Sequence, residues 1–450
     1  MRLKTRVAAG IAATALCSGL AVTGATAASA HGASGRATSH AKVTLTWWTW
    51  TANPAKVIAN FEKAYPYITI KPPPNYGSGG TFYAKLTTAL ASGTGPDVSQ
   101  VELDHLPQFI QAKDLQNISQ YVSSYKKDFP AWVWSQVSSR GAVYAMPEDI
   151  GPMGFMYQPA VLKKYHLAVP TTWAQFATEA VTLHKEDPGQ YLAYFPVNDG
   201  DYLEGLFWQA GAYPYTLLAN GTWKINVDGP IEQKVMAYWG KLVDEKAIAT
   251  AEDFTANWGH QIAKDQFVSY VGAAWSPTYE IDEYLTPGTT QQYAVTALPQ
   301  WKAGAASNGN WGGSTNAVTK DAPASLVKDA ALFAAYINTS ASGLSVDERP
   351  ATPAGGGRGL FPASLARASV PEFNAPVPHF TGNVNAEFSK LAAEVPKQFQ
   401  WDPWDTEFAN YVTTQMAAAA AGKEPWSQVL KTTQSQLVTY AKDAGYSVEG

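Results

Sequence analysis

The chain has 450 residues, 46% apolar and only 15% charged, which excludes a disordered polymer and leaves room for more than one core. Its net charge of −5 argues against nucleic acid or an anionic membrane surface as the main partner. With 16 Trp, 23 Tyr and 17 Phe, the chain carries more aromatic surface than a core of Leu, Ile and Val would need.

Residues 1–6 are basic, residues 7–22 are apolar and uncharged, and Ala28-Ser29-Ala30 forms a small-residue cleavage pattern. Residues 1–30 therefore read as an export signal, followed by a loose polar leader over 31–41. No later stretch approaches the length of apolar sequence that spans a bilayer. Cys17, the one cysteine, lies inside the signal. A lipid-anchoring signal wants a small residue just before its cysteine and an aliphatic one three before, where this chain has Leu16 and Thr14. Release into a periplasm or the extracellular medium is expected rather than an anchor, and the mature chain would hold no cysteine for disulfides, metal or thiol catalysis.

Beyond the leader, Val43, Leu45 and Trp47 alternate onto one face and predict a strand. Asn53-Pro54 predicts a helix start, with Val57, Ile58, Phe61 and Tyr65 at helical spacing. A strand over 67–71, a helix over 81–93 ending at Gly93, and a strand over 96–103 complete the alternation of a parallel α/β sheet. Helices are predicted over 171–185, 202–213, 230–247, 325–338 and 424–442, and strands over 292–299 and 315–320. The Gly- and Pro-rich residues 349–363 predict a hinge-proximal connection.

Enzymatic signatures are absent: there is no G-x-S-x-G, no H-E-x-x-H and no phosphate-loop pattern. The seven histidines are scattered, Gly77, Gly79 and Gly80 miss the dinucleotide fingerprint, and residues 198–205 lack the ligand spacing of a calcium loop. No metal or cofactor is expected. Carboxylates are the remaining chemistry. Glu102 and Asp104 lie two apart at the end of a predicted strand and would share a face, while Glu148 and Asp149 sit in an apolar setting bounded by Pro and Gly. One acid from each pair would make the couple of a glycosidase. The same acids would equally hold sugar hydroxyls without chemistry, each accepting two hydrogen bonds, or be solvated loop residues.

Residues 44–70, 93–119, 144–176, 206–214 and 293–320 carry, in order, the opening strand and helix, G-x-G-P-D, Y-x-M-P with M-Y-Q and L-x-V-P-T-T-W, L-F-W-Q-A-G, and W-G-G-S. In combination they resemble the extracellular solute-binding proteins of carbohydrate ABC importers, the family that includes maltose-binding protein. The resemblance covers nearly all of the chain after the leader. It implies an α/β, two-lobed periplasmic-binding-protein-like (type II) fold with a hinged interlobe cleft. By that analogy one lobe comprises 42–152 plus 314–365 and the other 153–313 plus 366–450. It also implies a non-catalytic receptor for a di- or oligosaccharide, with the transmembrane subunits of an ABC permease as partner, no nucleic acid, and a monomer sufficient for closure. Residues 147–152 fall where the family varies, so the sugar is not implied.

Ligands of open α/β sheets sit at the carboxyl ends of strands, which places Trp48, Trp50, Glu102 and Asp104 at one rim and Trp47 in the core. Glu148 and Asp149 are further candidates. Trp311 resembles a family position that stacks on sugar, with Gly312 and Gly313 letting backbone approach; Trp275 is a second platform and Arg358 a rim contact. For Trp48 and Trp50 the competing expectation is packing on the next helix. Trp208, Trp239 and Trp258 are expected in the core. The alternative from another class is a secreted glycoside hydrolase using the same Glu and Asp carboxylates.

Overall fold

The alternation at the start of the chain becomes β1 (Val43–Trp48), which buries Leu45 and Trp47 and leaves Thr44 exposed. Trp47 meets Phe333 edge-on at 5.2 Å, and its indole N–H donates to Asn316 Oδ1 at 2.9 Å, so a buried donor has its partner. This computed structural model describes residues 41–50, 53–72, 76–77, 79–347 and 359–449. The expected export signal, Cys17 and Arg358 lie outside the described residues.

Helix α1 (Pro54–Ala64) buries Val57, Ile58 and Phe61. Its start differs from expectation: Asn53 adopts a left-handed backbone and makes no side-chain cap bond, so the fixed φ of Pro54 sets the first turn. β2 (Ile68–Lys71), α2 (Gly79–Ser92) and β3 (Val98–Glu102) follow, with Gly93 at φ +70° ending α2. β1 pairs in parallel with both β2 and β3. The sheet is mixed, however. The strand Ser314–Val318 lies antiparallel between β3 and Ala145–Pro147, giving the order β2-β1-β3-(314–318)-(145–147). The register sets Ser314 opposite Glu102 and Thr315 opposite Pro147, so three remote segments end at one edge.

A second sheet holds Met153–Tyr157 between Ser269–Ala273 and Ala294–Thr296, all antiparallel, and Tyr194–Pro196 pairs in parallel with Ala249–Ala251. Helix starts follow local chemistry: Thr172 caps Trp173–Glu186, and Asp199 Oδ1 accepts from Tyr202 N at 2.6 Å to cap Gly200–Ala210. Most of the aromatic surplus is structural. Trp173 lies 5.4 Å from Phe176 and 5.3 Å from Trp239. Trp208 stacks on Phe399 at 4.4 Å and donates to the Pro396 carbonyl, while Trp239 and Trp258 are fully buried. Among the described residues no helix is long and apolar enough to cross a membrane.

Candidate functional site

The edge where β3, Ser314–Val318 and Ala145–Pro147 end forms one wall of a cleft of about 560 Å³. Glu102 faces it from the end of β3, where the Tyr83 hydroxyl donates to its Oε2 at 2.8 Å. Asp149 is fixed by Ser314 N–H, which donates to its Oδ1 at 2.8 Å. Gly313 stands at φ +104°, and a Cβ there would come 2.8 Å from the Asp149 carbonyl, so only glycine lets these strands close. Gln100 Oε1 accepts from Thr49 Oγ1 at 2.6 Å and Trp50 N at 3.2 Å, which fixes the chain just after β1. Trp50 is thereby held edge-on to Phe82 at 4.8 Å and lines the cleft, with Gly77 and Gly79 beside it.

Another part of the lining is aromatic. Trp275 and Trp311 have ring centroids 4.5 Å apart, and Trp275 Nε1 donates to the Trp311 carbonyl at 3.1 Å. Phe254 adds its ring 6.2 Å from Trp275 and 6.3 Å from Trp311, and Tyr279 lines the same wall. Phe254 is 50% exposed at φ 57°, an apolar ring facing outward on a backbone that disfavours side chains.

Asp199 and Asp201, at the start of the helix Gly200–Ala210, complete the lining. The cleft therefore carries four carboxylates, and among its described lining residues there is no Lys, Arg or His. Burial, then the charge of Asp104, pushes Glu102 up to about 7. Burial raises Asp199 to about 6 and Asp201 well above the carboxylate range. The arrangement can accept hydrogen bonds from hydroxyls or ammonium groups and present flat apolar faces.

Of the residues expected at a site, the structure brings Trp50, Glu102, Asp149, Trp275, Trp311, Gly312 and Gly313 to this cleft. Trp48 is elsewhere: β1 ends there, and its ring packs edge-on against Tyr76 at 4.7 Å, in a separate surface groove with Lys85 and Thr88. Asp104 does not share a face with Glu102, because β3 ends at Glu102; it is 2% exposed and bonded to His105 Nδ1 at 3.1 Å. Glu148 is fully buried, its backbone N–H donating to the Ser314 carbonyl, and does not line the cleft. Asp199, Asp201, Phe254 and Tyr279 were not foreseen. Asp199-x-Asp201 ahead of an apolar helical run is an N-cap signal that could have drawn attention to the first two.

Behind the aromatic wall Glu280, 1% exposed, accepts from the Tyr194 hydroxyl at 3.1 Å. Burial raises it from 4.5 to about 7 despite that bond. Between these values the folded chain binds the proton and the unfolded chain has released it, so stability falls as pH rises across this window. The contribution is on the order of 3 kcal/mol, complete below the lower value and gone above the higher. Urea midpoints measured from pH 8 to pH 5 should rise on acidification. In Glu280→Gln this rise should be visibly flatter; an unchanged slope would remove Glu280 as its source.

The sequence profile described as "Bacterial extracellular solute-binding protein" matches residues 48–343. A stretch of 125 residues is 30% identical to an uncharacterized ABC transporter extracellular-binding protein of Pyrococcus horikoshii, covering 26% of this chain and 28% of that protein. Among solved structures, the galacto-N-biose-/lacto-N-biose I-binding protein of an ABC transporter from Bifidobacterium longum, in complex with lacto-N-biose, has a TM-score of 0.79 at 24% identity. The ABC transporter associated binding protein of B. animalis subsp. lactis, in complex with beta-1,6-galactobiose, has a TM-score of 0.76 at 24% identity. Each likeness covers 91% of this chain and 100% of the other. They show the fold, an α/β, two-lobed binding-protein architecture.

Proposed function

The chain belongs to the bacterial extracellular solute-binding proteins, and from that premise we propose that it is a non-catalytic receptor delivering a di- or oligosaccharide to an ABC permease. The observation that carries this reading is the cleft that gathers Trp50, Phe254, Trp275 and Trp311 with the carboxylates of Glu102, Asp149, Asp199 and Asp201 in one lining. A pyranose ring has a flat C–H face and a rim of hydroxyls; indole and phenyl rings cover the face while carboxylates accept from the rim. The four carboxylates of the lining favour neutral or amino sugars over acidic ones. The complexes with lacto-N-biose and beta-1,6-galactobiose support a ligand of more than one ring.

In this reading residues 42–152 and 314–365 form one lobe, 153–313 and 366–450 the other, and the lobes close on the sugar as a hinge. The protein acts outside the cytoplasm as a released monomer, in a periplasm or the medium. The hydrolase alternative has no finding in its favour, and two of its four acids, Asp104 and Glu148, lie behind the cleft wall.

Tryptophan fluorescence of the full exported chain, titrated with neutral, amino and acidic oligosaccharides, tests the reading when the sugars are recovered and analysed afterwards. A saturable shift with intact sugar supports a receptor; cleaved sugar overturns it. Trp50→Ala should then weaken binding roughly 5- to 100-fold, the equivalent of losing about 1–3 kcal/mol of ring burial. Trp48→Ala should leave affinity within about twofold of wild type, because its ring lies in the separate groove. Equal losses in the two variants would disprove the assignment of Trp50 to the cleft.

A further inference from the structure

Tyr83 stands behind the cleft lining, on the buried face of α2, and is 7% exposed. Packing alone would be served by phenylalanine, as at its neighbour Phe82, so the hydroxyl is what sets this side chain apart. It makes two bonds to one residue. It donates to Glu102 Oε2 at 2.8 Å and accepts from the Glu102 backbone N–H at 2.9 Å. The last residue of β3 thus has its backbone and its carboxylate gripped by the same oxygen. With Oε2 taken, Oε1 is the oxygen left to accept from a ligand.

The ring that carries this hydroxyl is itself held. It stacks on the His105 imidazole at 3.9 Å and 11°, and it meets Trp50 edge-on at 6.1 Å. His105 Nδ1 is bonded to Asp104 at 3.1 Å and lies 3.8 Å from Asp405, while Thr406 Oγ1 is 3.5 Å from its Nε2. Partners at both nitrogens fix the plane of the imidazole, and the stacked phenol follows that plane. Two residues of the cleft lining, Glu102 and Trp50, therefore take their positions in part from a side chain that a ligand need not touch.

We propose that Tyr83 is a positioning residue of the sugar site, clamping Glu102 so that its remaining oxygen meets a ligand hydroxyl. This rests on the receptor reading above. A tyrosine that only finishes the end of β3 would hold the strand and leave the carboxylate's behaviour unchanged; a clamp also governs its charge. Burial and then the charge of Asp104 raise Glu102 to about 7, while the charge of His105 and the bond from Tyr83 act in the opposite direction. Asp199 and Asp201, at the start of the helix Gly200–Ala210, also face it and oppose its ionisation. Asp149 shares the cleft, and Asp402 and Asp405 act on His105. Removing the hydroxyl therefore pushes Glu102 further up, and its ionised, accepting form is lost at a higher pH.

Tyr83→Phe keeps every ring contact and removes only the hydroxyl, and two readouts on the full exported chain test it. In the ligand-free chain, carboxyl carbon-13 resonances followed through neutral pH should show Glu102 titrating near 7, its signal identified by its absence in Glu102→Ala. In Tyr83→Phe that midpoint should move to higher pH. Calorimetric titration with a panel of neutral di- and trisaccharides gives the second readout. Wild-type affinity should fall as pH falls through about 7. Tyr83→Phe should bind roughly 3- to 30-fold more weakly just above that pH, and its fall should begin at higher pH. The double variant Tyr83→Phe/Glu102→Ala should bind no more weakly than Glu102→Ala, because no carboxylate is left to position. Losses that add in the double variant, or an unmoved Glu102 midpoint in Tyr83→Phe, overturn the proposal. A moved midpoint in a chain that binds no sugar supports the clamp and overturns the receptor reading instead.

Discussion

Phe254→Ala should bind oligosaccharide roughly 10- to 100-fold more weakly than wild type while melting within a degree or two of it. The fold has little to lose: half of the ring faces outward already. Its contacts are the rings of Trp258 at 5.4 Å, Trp275 and Trp311, so the side chain extends a platform rather than filling a core. The backbone is held independently, because Thr255 caps the next helix by accepting from Trp258 N at 3.3 Å. Alanine at φ 57° keeps the left-handed strain that phenylalanine bears, so the comparison isolates the ring. Phe254→Gly releases that strain, about 1–2 kcal/mol, and should melt higher than Phe254→Ala while binding no better. Calorimetric titration and melting of both variants check this. Affinity retained in both would mean that the ring has no contact with ligand.

What was legible in the sequence was local. β1, α1, β2, α2 and β3 were readable because each writes its own periodicity. Trp47 belonged to the core by alternation alone. The site was less legible because it is assembled across distance. Nothing near residues 314–318 says that this strand inserts antiparallel between β3 and Ala145–Pro147, yet that insertion sets Ser314 opposite Glu102 and against Asp149. Alternation also fails where strands stop. Asp104 turns inward two residues past the end of β3, and Trp48 and Trp50 part company because β1 ends between them. Residues 198–205, which lack the spacing of a calcium loop, are a capped helix start whose Asp199 and Asp201 line the cleft. Phe254 left no pattern at all.

Gly151→Ala should damage fold and site together, costing about 3 kcal/mol or more and abolishing measurable sugar binding. Gly151 is the point on which the aromatic wall is hung. Its carbonyl accepts from Trp311 N at 2.8 Å, and its own N–H donates to Asn310 Oδ1 at 2.9 Å. A Cβ there would lie 1.8 Å from the Trp311 carbonyl oxygen and 2.8 Å from Trp275 Nε1. Those are the two atoms of the bond that joins the tryptophans, so the added methyl would occupy the bond itself. The nearer atom is backbone and cannot escape by changing rotamer, so the strand contact between Pro152 and Asn310 must open. Trp275 and Trp311 would then separate and emit at longer wavelength. Gly80→Ala is the matched control: its Cβ meets nothing within 4 Å, and it lies in the first turn of α2, where alanine is no worse than glycine. Urea midpoints and emission spectra of the two variants decide the matter. A Gly151→Ala chain with wild-type midpoint and affinity would show that the wall does not depend on this crossing. Loss of both, set against loss of affinity alone in Phe254→Ala, would separate the residue that positions the platform from the one that supplies it.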